Sequence, residues 1–186
     1  MKTPSDAGLR GTALDRLIDS VRSAVRAEDG PKETARLVAD ALKPFLSEPD
    51  LLPAAYRRGD PDGYRQHLVH AEKDGSFSVV ALVWQPGQRT AIHDHVAWCV
   101  TGVYQGAETE HRYELRGSGE NVHLVPGPEV VNEAGTACGF APPGDIHLVA
   151  NAGDTPAVSV HVYGADISRL STSIRRVYDL PVVAAI

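Results

Sequence analysis

Apolar residues recur along this chain with two different periods. In the first third, Leu14, Leu17, Ile18, Val21 and Val25 fall on one face of a helix. Gly30-Pro31 ends that run and opens a second, because proline is tolerated in the first helical turn. Leu37, Val38, Ala41, Leu42 and Phe45 form the apolar face of the second helix, and a short third helix is predicted over 50–57. These segments hold no cluster of chemistry-bearing residues and read as a helical cap.

From Tyr64 onward the period shortens to two. Runs rich in Val, Leu, Tyr and Trp alternate with Gly, Pro, Asn and Asp, which predicts strands over 66–73, 77–85, 91–94, 98–105, 107–115, 121–125, 129–133, 137–141, 146–151 and 157–163. Gln105-Gly106 and Asn151-Ala152-Gly153-Asp154 supply turns between them. So many short strands in succession suggest a closed β-barrel or double-sheet jelly roll, which also disposes of exposed strand edges. The predicted organisation is mainly β: a helical cap over 1–60, a barrel over 61–165, and a tail over 166–186 packed on the barrel. The part of that tail over 166–178 reads as a short basic segment lying across one end.

Composition narrows the function classes. A chain of 186 residues is long enough for one domain with a sizeable core, and its formal net charge of -6 comes from charges of both signs scattered along it. Neither a nucleic acid nor an anionic membrane is expected as a partner, since both call for clustered Lys and Arg. The leading MKTPSDAGLRG has no apolar core, so no secretory signal is expected, and no apolar run is long enough to span a bilayer. The two cysteines, Cys99 and Cys138, form no CxxC spacing. A cytoplasmic monomer or small homo-oligomer without a disulfide is the expectation.

The chemistry concentrates in three places. Within 87–106, His93 and His95 flank Asp94 and share one strand face, spaced for two neutral imidazoles to meet one metal ion. A third histidine, His147, follows in Pro142-Pro143-Gly144-Asp145-Ile146-His147, with Asn151 just beyond. His67, His70, His111 and His123 lack such partners and read as surface or supporting residues. Three imidazoles without a carboxylate leave an ion's charge uncompensated, which favours an anionic substrate ligand such as a thiolate. The third place is 157–163, where Ser159, His161 and Tyr163 share one face while valines take the other. Three polar side chains directed into a barrel are costly unless they hydrogen-bond to one another, which reads as a Ser-His-Tyr relay.

The two histidine segments together resemble the two-part signature of the cupin barrel, the double-stranded β-helix, with Cys99 standing where most metal-binding cupins carry a glutamate ligand. The combination of HDH, Cys99, PPGDIH with Asn151, and SVHVY resembles the cysteine dioxygenase family of thiol dioxygenases over 64–163. The resemblance implies an Fe(II) ion held by His93, His95 and His147, with Tyr163, His161 and Ser159 as the catalytic relay. The partners it implies are a small thiol and O2, and the product is a sulfinic acid. It also gives Cys99 a role, since in some members a cysteine here forms a thioether to the relay tyrosine. Cysteine-specific members carry an arginine where Gln66 stands, and a neutral Gln cannot form the same charged pair with a carboxylate. Gln66 therefore resembles the branch that includes 3-mercaptopropionate dioxygenases, in which an arginine after the tyrosine takes the carboxylate. Arg176, within Arg175-Arg176, is the candidate for that role and Arg169 the second. Another metal-dependent cupin enzyme and a non-catalytic ligand-binding cupin are the alternative readings.

Overall fold

The structure, a computed structural model, describes residues 11–27, 30–170 and 172–184. The reading of residues 1–10 as lacking a secretory signal lies outside the described residues.

Two helices open the described chain, α1 (Ala13–Val25) and α2 (Pro31–Leu42). Thr12 begins α1 with a capping box: its hydroxyl accepts the Asp15 backbone N–H, and the Asp15 carboxylate accepts the Thr12 N–H at 2.8 Å. Leu17 and Val21 from α1, and Val38 and Leu42 from α2, are fully buried. The short helix predicted over 50–57 is a single 3-10 turn, Ala54–Arg57.

Ten strands follow: β1 (Arg65–Ala71), β2 (Ser78–Trp84), β3 (His93–His95), β4 (Cys99–Gln105), β5 (Ala107–Arg116), β6 (His123–Glu133), β7 (Ala137–Phe140), β8 (His147–Asn151), β9 (Ala157–Tyr163) and β10 (Ile174–Val177). They form two five-stranded antiparallel sheets, ordered β1-β2-β9-β4-β7 and β10-β3-β8-β5-β6. The chain crosses repeatedly between the two sheets, and the result is the mainly β cupin barrel, capped by N-terminal helices.

Two features depart from the predicted strands. The segments 121–125 and 129–133 belong to one strand, β6, which runs through Pro126-Gly127-Pro128. Prolines are tolerated there because β6 is the outer strand of its sheet, and the partner β5 shifts register between His111 and Tyr113 to accommodate them. The tail does more than lie across an end. Its residues Ile174–Val177 add a strand beside β3, with Ile174 opposite His95 and Val177 opposite His93. The three-residue HDH strand would otherwise be an open edge, and β10 covers it.

The sheet holding β2, β4 and β9 is buried on both sides. On its outer face Val158, Val160 and Val162 of β9 join Leu17, Val21, Val38 and Leu42 in one cluster. On its inner face Cys99 and Tyr163 pack with Val80, Leu82 and Trp84. Each valine or leucine so enclosed contributes about 1.5–3 kcal/mol. Gly102 permits the close approach: a Cβ there would sit 2.7 Å from Cδ2 of Leu42 and 3.0 Å from Leu46. The helices thus seal one face of the sheet and leave the other to line the barrel.

Candidate metal centre

Strand alternation sends His93 and His95 inward from β3 and Asp94 outward. The pairing of β3 with β8 sets His147 directly opposite His93. One nitrogen from each of the three rings lies within 4.8 Å of the others, and all three residues are buried. Ring centroids stand 4.8 Å apart for His93–His95 and His93–His147, and 5.0 Å apart for His95–His147. Phe140 packs against both His95 and His147.

Each ring is fixed from behind. Nδ1 of His93 faces the Ala91 carbonyl at 2.9 Å, Nδ1 of His95 the Asp145 carboxylate at 3.1 Å, and Nδ1 of His147 the Glu110 carboxylate at 3.0 Å. Since these partners are acceptors, each Nδ1 carries the proton and donates it. Each Nε2 is left with a lone pair for a metal ion. Asp145 also accepts the backbone N–H of His95 at 2.9 Å, and Arg112 clamps both oxygens of Glu110 at 3.1 Å. Three neutral nitrogen donors anchored in this way fit a first-row transition metal such as Fe, Cu, Ni or Zn.

Burial is the main force on His93 and His147. It lowers His93 to about 3, helped by the neighbouring His147 and His95, and it lowers His147 against the pull of Glu110. These rings stay neutral, as ligands must be. The carboxylates respond differently. Burial would raise Glu110, but the bonds from His147 and Arg112 outweigh it and hold the group at about 2. Burial likewise works to raise Asp145, and its bonds to His95 hold it low.

On β9 the three polar side chains form a continuous chain. The Tyr163 hydroxyl lies 3.2 Å from Nδ1 of His161, Nε2 of His161 lies 3.0 Å from the Ser159 hydroxyl, and the Trp84 indole N–H donates to that hydroxyl at 3.2 Å. Burial lowers His161 to about 3 and pushes the Tyr163 phenol well above its usual range. His161, Tyr163 and Gln66 line one narrow cavity together with the three histidines, and Ser173 and Ile174 from the tail line it too. The Tyr163 ring is 6.1 Å from that of His95.

Cys99 stands directly opposite Tyr163 across β4 and β9, fully buried, and burial pushes its thiol up. The arginines are elsewhere. Arg175 pairs with the outward-facing Asp94, which also accepts the Tyr178 hydroxyl at 2.7 Å. Arg176 lies over the Tyr178 ring at 5.6 Å and lines an outer groove rather than the histidine cavity. Arg169 pairs with Asp166 at 2.9 Å. Asn151 donates to the carbonyls of Trp84 and Thr155, so it holds a turn.

Sequence reasoning missed Glu110, Asp145, Trp84 and the tail residues Ser173 and Ile174. One signal was available: in Glu108-Thr109-Glu110 two acids share a strand face, which is unusual unless that face has partners. Both glutamates point into the barrel and are buried.

A family model described as cysteine dioxygenase type I matches residues 12–175. Cysteine dioxygenase type 1 of Rattus norvegicus is 27% identical over 150 residues, covering 79% of this chain and 73% of that protein, and the Homo sapiens protein matches to the same extent. Among solved structures, a conserved protein with a double-stranded β-helix domain from Klebsiella pneumoniae is similar with a TM-score of 0.47 and 24% identity, over 61% of this chain and 86% of that one.

Proposed function

The chain belongs to the cysteine dioxygenase type I family and is a thiol dioxygenase; from that premise we propose that it holds Fe(II) and oxidises a small cysteine- or 3-mercaptopropionate-like thiol with O2 to a sulfinic acid. The observation that carries this reading is the convergence of three anchored imidazoles and the Tyr163–His161–Ser159 chain on one cavity. An Fe(II) ion held by His93, His95 and His147 would supply the electron transfer between thiol and O2 that neither reactant achieves readily alone. The overall step balances as RSH + O2 giving RSO2H, with sulfur oxidised, both oxygen atoms reduced and the thiol proton kept on the acid.

The chain's own groups do the rest. The Ala91 carbonyl, Asp145 and Glu110 hold the Nδ1 protons and aim the imidazoles. Apolar neighbours of the cavity, among them Leu82 and Val149, exclude bulk water and strengthen every polar contact within it. Tyr163, steadied by His161, offers a hydrogen bond to the substrate's polar end. Gln66 offers a second, neutral one, which suits a small thiol held without a bidentate ion pair.

Cys99 and Tyr163 occupy facing register positions, where Cβ atoms come within about 4.5–5.5 Å. We expect a thioether between Sγ and a ring carbon of the tyrosine, formed with loss of two hydrogens and O2 as oxidant. Recovery of both tryptic peptides unmodified after turnover would rule it out. The cytoplasm is the proposed location. Among the described residues, no helix is long and apolar enough to cross a membrane.

The reaction is tested by loading the protein with Fe(II), adding cysteine, cysteamine, 3-mercaptopropionate and thiol-imidazoles one at a time without oxygen, and then following O2 uptake. Uptake stoichiometric with sulfinic acid is expected for at least one thiol. Thiol-independent uptake, or a disulfide as the only product, would overturn the proposal.

A further inference from the structure

Beyond the relay lies a carboxyl group that the reaction as described does not use. Glu108 points into the barrel from β5 and is 1% exposed, and neither of its carboxyl oxygens has a hydrogen-bond partner at full geometry among the described residues. The polar groups close beside it are the Ser159 hydroxyl and the Trp84 indole, the same two groups that end the Tyr163–His161–Ser159 chain. An unpartnered buried carboxyl is costly, and the Ser159 hydroxyl and Trp84 indole N–H are the neighbouring groups that can offset that cost.

The hydroxyl's bonding capacity gives this contact a consequence. Ser159 has one O–H to donate and two lone pairs to accept with. The Trp84 indole N–H, which can only donate, occupies one lone pair. One O–H and one lone pair remain for two neighbours, His161 and Glu108. When one of them donates to Ser159, the other must accept from it. A protonated Glu108 donates to Ser159, Ser159 donates to Nε2 of His161, and the Nδ1 proton of His161 goes to the Tyr163 oxygen. The phenolic O–H is then free to point into the cavity. An ionised Glu108 reverses every bond: it accepts from Ser159, Ser159 accepts from Nε2, and Nδ1 accepts from the phenol.

We propose that Glu108 is a positioning residue whose protonation state sets the tautomer of His161, so that Tyr163 presents a hydrogen-bond donor to the cavity in one state and an acceptor in the other. The proposal rests on the reading of Tyr163 as the group that meets the substrate. Burial supports it by pushing Glu108 up to about 7, where a small change of pH moves the proton. The titratable groups around Glu108 are Glu110 on its own strand, Cys138 on β7 and, through Ser159, His161 on β9. The neighbouring strands present neutral Asn132 and Asn151 in register with it. His161, held neutral by burial, reports the switch as a change of tautomer rather than of charge.

The test follows the two ring nitrogens of His161 by NMR in the full chain, labelled with 15N in histidine and loaded with diamagnetic Zn(II), from about pH 5 to about pH 9. In the wild type the protonated nitrogen should move from Nδ1 to Nε2 as pH rises through about 7. In Glu108→Gln and Glu108→Leu the tautomer should stay fixed across the range, and in Ser159→Ala it should no longer follow Glu108. A wild-type tautomer that does not change with pH would overturn the proposal, as would a swap that persists in Glu108→Gln. The wild-type arm needs no substitution, so a variant that fails to fold does not spoil it. The measurement also needs no turnover, so a failure of the thiol-oxidation reading would appear separately, as a missing O2 uptake.

Discussion

Glu108 and Glu110 stand two residues apart on β5, face the same barrel interior and are both buried, yet their surroundings drive them in opposite directions. Glu110 meets His147 on one side and Arg112 on the other and is held at about 2. Glu108 meets no cation and no full hydrogen bond, and burial raises it to about 7. The first works as an anchor for a metal ligand because its charge is fully compensated. The second can change its proton near neutrality because its charge is not. Burial is thus not one effect on a carboxyl group, and its outcome depends on what else the fold brings to the same spot.

The sharpest way to break this comparison is to remove what the paired end is built for. His93→Ala should abolish metal retention and thiol-dependent O2 uptake together, read by metal analysis and an oxygen electrode, and substantial uptake in the variant would mean that the site lies elsewhere. The unpaired end is next. The folded pKa of Glu108 lies above its ordinary value of 4.5, so the folded state holds the proton through that window while the unfolded state has lost it. Stability therefore falls as pH rises from 4.5 to about 7. Glu108→Leu should escape this loss and gain about 3 kcal/mol on the wild type across that window, measured by urea unfolding at each pH. A gap independent of pH would show that Glu108 is not held neutral.

A smaller effect is expected from Glu110→Gln, which keeps the shape but weakens the charge-assisted bond to His147. Metal affinity should fall about 10–100-fold in chelator competition, with the fold intact by circular dichroism. An unchanged affinity would make the His147 anchor ornamental. Least of all is expected from Arg176→Ala, because Arg176 lies on Tyr178 in the outer groove. KM for the thiol should change less than about twofold, whereas a large rise would put this arginine back in substrate recognition.

Much of the site was legible because it lies within short stretches of strand. The alternation of HDH and of Ser159-Val160-His161-Val162-Tyr163 fixes which side chains share a face, and β9 obeys it: valines on the helices, polar groups in the barrel. The resemblance then linked the separate segments. Less legible were the residues that act across the fold. Asp145 sits in a motif that draws attention to His147, yet its partner is His95. The resemblance pointed to Arg176 as a carboxylate partner; in the fold Arg176 lies over Tyr178, and the tail residues that line the cavity are Ser173 and Ile174.

By itself, the order of residues determined the helical cap, the strand-rich barrel, the three imidazoles and the polar face of the relay. Each of these follows from periodicity or from a motif carried by neighbours in the chain. Only the tertiary structure decided that the tail closes the edge of β3, and that Glu110 is anchored while Glu108 is left unpaired. Those outcomes depend on desolvation and on partners far away in sequence. Two glutamates in one strand look alike until packing gives His147 to the first, and only a serine and a tryptophan to the second.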